Sequence, residues 1–106
     1  MQLYNLARML TSTTGTGTLT LTGPVQSFLS FAQAGAQDGD AIRYSVEDGY
    51  SREIGWGIYT AAGQTLTRNV DASTNNNLPV NLVAGAQVSI TAAAEDFAFS
   101  MDGGTY

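Results

Sequence analysis

Carboxylates are the first residues to weigh for chemistry. Glu47 and Asp48 stand together, and Glu53 follows across a short turn. Paired acids at such separations can run glycoside hydrolysis, but one of them must sit in a cleft with a raised pKa. The surrounding YSVEDGYSRE reads as the tip of a hairpin, so these acids are expected to be solvated and screened by Arg43 or Arg52. Gln37, Asp38 and Asp40 space their oxygens as a calcium loop does. A complete loop needs further ligands ending in a Glu at about position twelve, and Asp40 is followed by Ala-Ile-Arg instead. A turn is the expectation there, with no metal site.

Nucleophilic chemistry fares no better. Ser and Thr are abundant, but the chain has no His, no Cys and no Lys, so a hydroxyl has no usual base. A Thr nucleophile that uses its own amine needs Thr first, and the first residue is Met. No enzyme activity and no cofactor are expected. Trp56 with Tyr44, Tyr50 and Tyr59 could stack a sugar. Flanked by Ile54 and Ile58 at two-residue spacing, however, Trp56 reads as a core side chain.

These residues lie on a strand-rich frame. Thr16, Thr18, Thr20 and Thr22 alternate with Leu19 and Leu21, the period-two pattern of a half-buried strand. Gly23-Pro24 ends it. Phe28 and Phe31 then suggest a helical turn or irregular crossover capping the core and ending near Gly35, with a strand that faces Phe28 and Phe31 oppositely as the alternative. Ile42, Tyr44 and Val46 point inward against Arg43, Ser45 and Glu47. Asp48-Gly49 turns the chain. On the return strand Ile54, Trp56 and Ile58 are taken to share the inner face, and the glycines beside Trp56 leave room for another backbone or ring. Ala61 to Gln64 turn again, and Leu66 and Arg68 share a face. Residues 71–77, DASTNNN, read as a polar loop. Leu78, Val80 and Leu82 alternate, with Pro79 marking an edge strand. Val88, Ile90 and Ala92 close the pattern.

The sum is an all-β domain, a compact antiparallel sandwich or barrel of about six short strands. Its expected limits are an N-terminal arm at 1–11, a β domain at 12–96 and a C-terminal tail at 97–106. The arm carries Leu3, Tyr4, Leu6, Arg8, Met9 and Leu10, and the tail carries Phe97 and Phe99. Leu3, Leu6 and Leu10 fit either a short helical face or an extended arm. Either form needs something to pack on, in its own domain or on a neighbour. These eight residues are the candidate interface.

Composition narrows the partners. The 106 residues suffice for one domain with its own core. Net charge is −5 and the only cations are four Arg, the wrong sign for a nucleic-acid binder. Charged residues make up 12%, about half the usual share, which fits a surface largely covered by partners, because interface cores are depleted in charge. No run approaches the ~20 apolar residues of a membrane span and no secretory leader is evident, so assembly in the cytoplasm is expected.

Three runs, TSTTGTGTLTLTGPVQSFLSFAQAGAQDGDAIRYSVEDG, EIGWGIYTAAGQTLTRN and VNLVAGAQVSITAAAED, together resemble a small domain common in tailed bacteriophages. The resemblance spans residues 11–96 and lies in the order and spacing of turns and strands, not in a catalytic motif. One departure is the segment Arg52-Glu53-Ile54-Gly55. The usual domain has a Trp ahead of that acid, and here the aromatic comes later, at Trp56. The resemblance implies a virion component. A lone domain with arms at both ends implies a capsid decoration (cement) protein, a homotrimer on the capsid surface with the major capsid protein as its partner. The alternative it leaves open is a receptor- or glycan-binding module of a tail or head fibre.

Overall fold

The computed structural model describes residues 6–83 and 85–90. Its elements are β1 (Arg8–Thr11), β2 (Leu19–Pro24), α1 (Phe31–Ala34), β3 (Ala41–Asp48), β4 (Ser51–Thr60), β5 (Thr65–Leu66), β6 (Asn69–Ser73) and β7 (Gln87–Ile90). All strand pairings are antiparallel. They close on themselves: β3 pairs with β7, then β1, β2, β5 and β4 follow, and β4 pairs back to β3. The result is a small barrel. β6 carries on from β5 along the same edge of β4, with a bulge between Ile54 and Gly55.

The all-β expectation holds, and the arm needs correcting. Residues 8–11 are not an arm: they form β1, hydrogen-bonded between β2 and β7. Met9 is 1% exposed and is a core side chain, so it is not available to a partner. The reason is alternation. Met9 and Thr11 face inward from β1, while Leu10 faces out. Thr11 is tolerated inside because its hydroxyl donates to Thr20 O at 2.7 Å.

Between β2 and β3 the chain makes one helical turn. Ser30 Oγ accepts from Gln33 N–H at 3.1 Å and Gln33 Oε1 accepts from Ser30 N–H at 2.9 Å, a reciprocal capping box. Gly35 ends the turn at φ 114°, which favours Gly. Phe31 is buried under this turn and packs against Tyr59, ring centres 6.0 Å apart. Its backbone N–H finds Met9 Sδ at 3.3 Å.

The β3–β4 hairpin carries the main surprise. Its inner row from β3 is Ile42, Tyr44 and Val46, as expected. The inner row from β4 is Glu53, Gly55, Gly57 and Tyr59, and Ile54, Trp56 and Ile58 face outward. Trp56 is therefore half-buried on the outer wall and does not anchor the core. Register accounts for this. Asp48 pairs with Ser51 around a two-residue loop with Gly49 at φ 61°, so Tyr44 lies opposite Gly55 and Ile42 opposite Gly57. Glycine is needed at both places. A Cβ on Gly57 would lie 1.9 Å from Thr67 O, and one on Gly55 would lie 2.2 Å from Asn69 O and 3.0 Å from the Tyr44 hydroxyl. The room expected beside Trp56 is thus filled by a neighbouring backbone and by the Tyr44 hydroxyl.

Two further segments differ from expectation. Asp71 to Ser73 belong to β6, and Asp71 forms an ion pair with Arg43, so the polar loop is only the 74–77 turn. Residues 78–83 form no strand. Val80 and Leu82 are buried there, but Leu78 is exposed, and Leu82 makes a single bridge to Gly15.

Candidate functional site

Inside the barrel the outward turn of Ile54 and Trp56 leaves Glu53 facing in, where it is 1% exposed. A buried carboxylate needs partners on every lone pair. Arg68, which shares Leu66's face, supplies two: Nε donates to Oε2 at 3.0 Å and Nη2 to Oε1 at 2.5 Å. The Tyr44 hydroxyl donates to Oε2 at 2.6 Å and Val80 N–H to Oε1 at 2.9 Å. Arg68 also donates to the carbonyls of Gly15, Gly17 and Val80 at 3.1, 3.2 and 2.8 Å. No buried side-chain polar atom among the described residues lacks a partner.

Electrostatics follow from this geometry. Burial alone would raise the Glu53 carboxyl, but the hydrogen bonds from Arg68, Tyr44 and Val80 and the Arg68 charge outweigh it and hold the carboxyl below its usual range. Burial works against the Arg68 charge as well, and Glu53 more than compensates, raising its pKa. Burial first, then the bond to Glu53 and its charge, push the Tyr44 phenol far up. A low carboxylate, a high phenol and a paired guanidinium, sealed from solvent, leave no atom poised to exchange a proton with a substrate. The cluster is a structural clasp.

The other acids are turn and latch groups. Asp38 Oδ1 accepts from Ala61 N–H at 3.0 Å, and Asp40 Oδ2 from Gln37 N–H at 2.9 Å. Asp48 Oδ2 accepts from Val83 N–H at 2.9 Å. Among the described residues no group of three His, Cys, Asp or Glu is placed to hold a metal ion. Glu47, expected to be screened by Arg43 or Arg52, is paired instead with Arg8 at 2.9 Å.

Arg8 lies on the outer wall. It donates to Ser89 Oγ and Gln87 Oε1, both at 2.7 Å, as well as to Glu47, and its guanidinium sits 5.6 Å from the centre of the Phe28 ring. It thereby spans β1, β7 and β3. Beside it is an open groove of about 500 Å³ whose walls include Leu6, Phe28 and Ile90.

The expected interface residues divide accordingly. Leu6 is exposed at 64% and Leu10 at 38%. Arg8 is committed to the latch, and Met9 is in the core. Leu3, Tyr4, Phe97 and Phe99 lie outside the described residues. Leu6 is joined by Leu29 and by Phe28, which its spacing with Phe31 had placed over the core. Phe28 and Leu29 are both exposed, Leu29 N–H donates to Leu6 O at 2.8 Å, and Ala7 bridges Leu29. The S-x-x-Q capping box was the available signal. It starts the helix at Phe31 and leaves Phe28 and Leu29 ahead of it, on the rim.

Comparisons of this chain with protein-family models, with curated proteins and with solved structures return no match.

Proposed function

We propose that this chain is a virion structural protein of a tailed bacteriophage, a capsid decoration protein that binds the outer surface of the head and stabilises capsomer contacts. The observation that carries the reading is the apolar rim of Leu6, Phe28 and Leu29 beside the point where the chain enters β1. Large exposed apolar side chains gathered at one place mark an interaction surface. The spacing of turns and strands over residues 11–96 and the low charge without Lys support the same reading. Many weak contacts repeated over a symmetric shell add up through avidity, and a homotrimer seated on the outer surface at a local threefold of the major capsid protein would supply them. Copy number in purified particles is the test. Hundreds of copies are expected, and a handful would sink the proposal. Leu6→Asp with Phe28→Asp is expected to leave the fold intact and release the protein from heads.

A second reading rests on Tyr50, which is fully exposed at the β3–β4 tip, and on Trp56, which faces out from β4. Both are suited to stacking on sugars, as a receptor- or glycan-binding module of a tail or head fibre requires. A glycan array that retains the wild-type chain and loses it with Trp56→Ala would favour this reading over the first.

A further inference from the structure

Val80 is held as a strand residue is held, but not by a strand. In a sheet a residue receives one acceptor and one donor from the neighbouring backbone. Here Glu53 Oε1 accepts from Val80 N–H at 2.9 Å, and Arg68 Nη2 donates to Val80 O at 2.8 Å. The buried ion pair takes the place of a backbone rung. The same guanidinium holds Gly15 O and Gly17 O. Gly15 in turn exchanges two backbone hydrogen bonds with Leu82, both 2.9 Å. One side chain therefore secures two irregular segments, residues 13–17 and 79–83, at the same end of the barrel.

Little else secures residues 75–83. Val83 N–H reaches Asp48, and the apolar anchors are Val80 and Leu82. Pro79 has no N–H to give. Thr74 is still tied to β4, where its N–H donates to Arg52 O at 2.9 Å and its hydroxyl accepts from Arg52 N–H at 3.1 Å, but beyond it the bonds of Ser73 Oγ to Leu78 O and Asn75 Nδ2 to Pro79 O lie within the turn itself. By contrast, β3 and β4 pair along the whole of β3, from Ala41 to Asp48. Segments with few buried anchors and no ladder open at lower free energy than the sheet they cover.

We propose that residues 75–83 form a strap across one end of the barrel, latched by the Glu53–Arg68 pair, which opens together with residues 13–17 while the barrel stays folded. Tyr44, Glu53 and Arg68 stand on β3, on β4 and between β5 and β6, so they keep one another as partners when the strap leaves. Opening carries Val80 and Leu82 out beside Leu78 and Val83, which are already exposed. The closed end becomes an extended apolar arm.

Native-state amide exchange followed by NMR tests this. In the wild-type chain the amides of Gly15, Val80 and Leu82 are expected to exchange at a common rate, at least about tenfold faster than the β3–β4 ladder and with little dependence on denaturant. Glu53→Gln, which keeps the size and removes the charge, is expected to speed that set by about tenfold more relative to the ladder. Exchange of the three amides at the ladder's own rate in the wild type overturns the proposal, as does an equal acceleration of both sets. Should Glu53→Gln not fold, Leu82→Ala loosens the strap from its own side with the ion pair intact. The same selective acceleration is expected, and its absence is equally decisive.

Discussion

Two arginines tie strands together in this barrel, and their surroundings make them different devices. Arg68 sits inside, its side chain 2% exposed against a Glu53 side chain at 0%. Arg8 sits outside, 22% exposed against 39% for Glu47. Both make several hydrogen bonds and both span three segments. For Arg68 the unbonded alternative is a charge left in an apolar interior, whereas for Arg8 it is water. The number of contacts is therefore a poor guide to what each contributes, and desolvation of the partner left behind is the better one.

Removing one buried partner is the strongest way to break the comparison. Arg68→Ala leaves Glu53 buried and unpaired, and a loss of about 3–5 kcal/mol is expected in chemical denaturation. For a barrel of this size that is a large part of the total. The same pair gives a pH dependence with a definite sign. The folded carboxyl of Glu53 lies below its ordinary value of 4.5, so its contribution is present above that value and is lost as pH falls through the lower folded one. Thermal melts toward acid pH are expected to fall steeply in the wild type and less steeply in Glu53→Gln. On the alkaline side the raised Tyr44 phenol stabilises the fold fully below its ordinary pKa near 10, and that contribution is lost as pH rises above it.

Tyr44→Phe removes one hydrogen bond to the buried carboxylate but keeps the ring. A loss of about 1.5–3 kcal/mol is expected, and the alkaline sensitivity should shrink with it to the share supplied by Tyr59, whose phenol is raised by burial and by the Asp38 charge. Arg8→Met keeps the stem and removes the outer latch. Its expected cost is about 0–1 kcal/mol, reduced further in high salt, a condition that leaves the Arg68 effect unchanged. Double-mutant cycles on Arg68 with Glu53 and on Arg8 with Glu47 sharpen the contrast, because only the first should show a large coupling energy. Smallest of all is Leu6→Asp, expected to stay within about 0.5 kcal/mol of wild type in stability. Its effect should appear in particle binding instead.

The all-β class, the strand at Leu19 and Leu21, the inner row of β3 and the helical turn closed by Gly35 follow from local pattern, because alternation and turn chemistry act over a few residues. The inner face of β4 was legible too, though only by parity. A two-residue loop pairs even positions with odd ones, so Ile42, Tyr44 and Val46 inside require Glu53, Gly55, Gly57 and Tyr59 inside as well. Hydrophobicity argued the opposite, since Ile54, Trp56 and Ile58 are the apolar row. What decided it was three-dimensional. The 67–69 backbone passes so close to β4 that only glycine fits beneath it, and the Tyr44 hydroxyl lies against Gly55.

Tertiary structure alone placed the rest. No local pattern brings Arg68 to Glu53, Val80 and Gly15, because closing the barrel is what makes them neighbours. Nor does any local pattern turn residues 8–11 into a central strand, since β1 exists only because β2 and β7 offer it two edges. Local sequence determines which way a side chain points along its own strand. Closure of the sheet determines what it meets, and here that meeting turned an acid read as solvated into the buried centre of the fold.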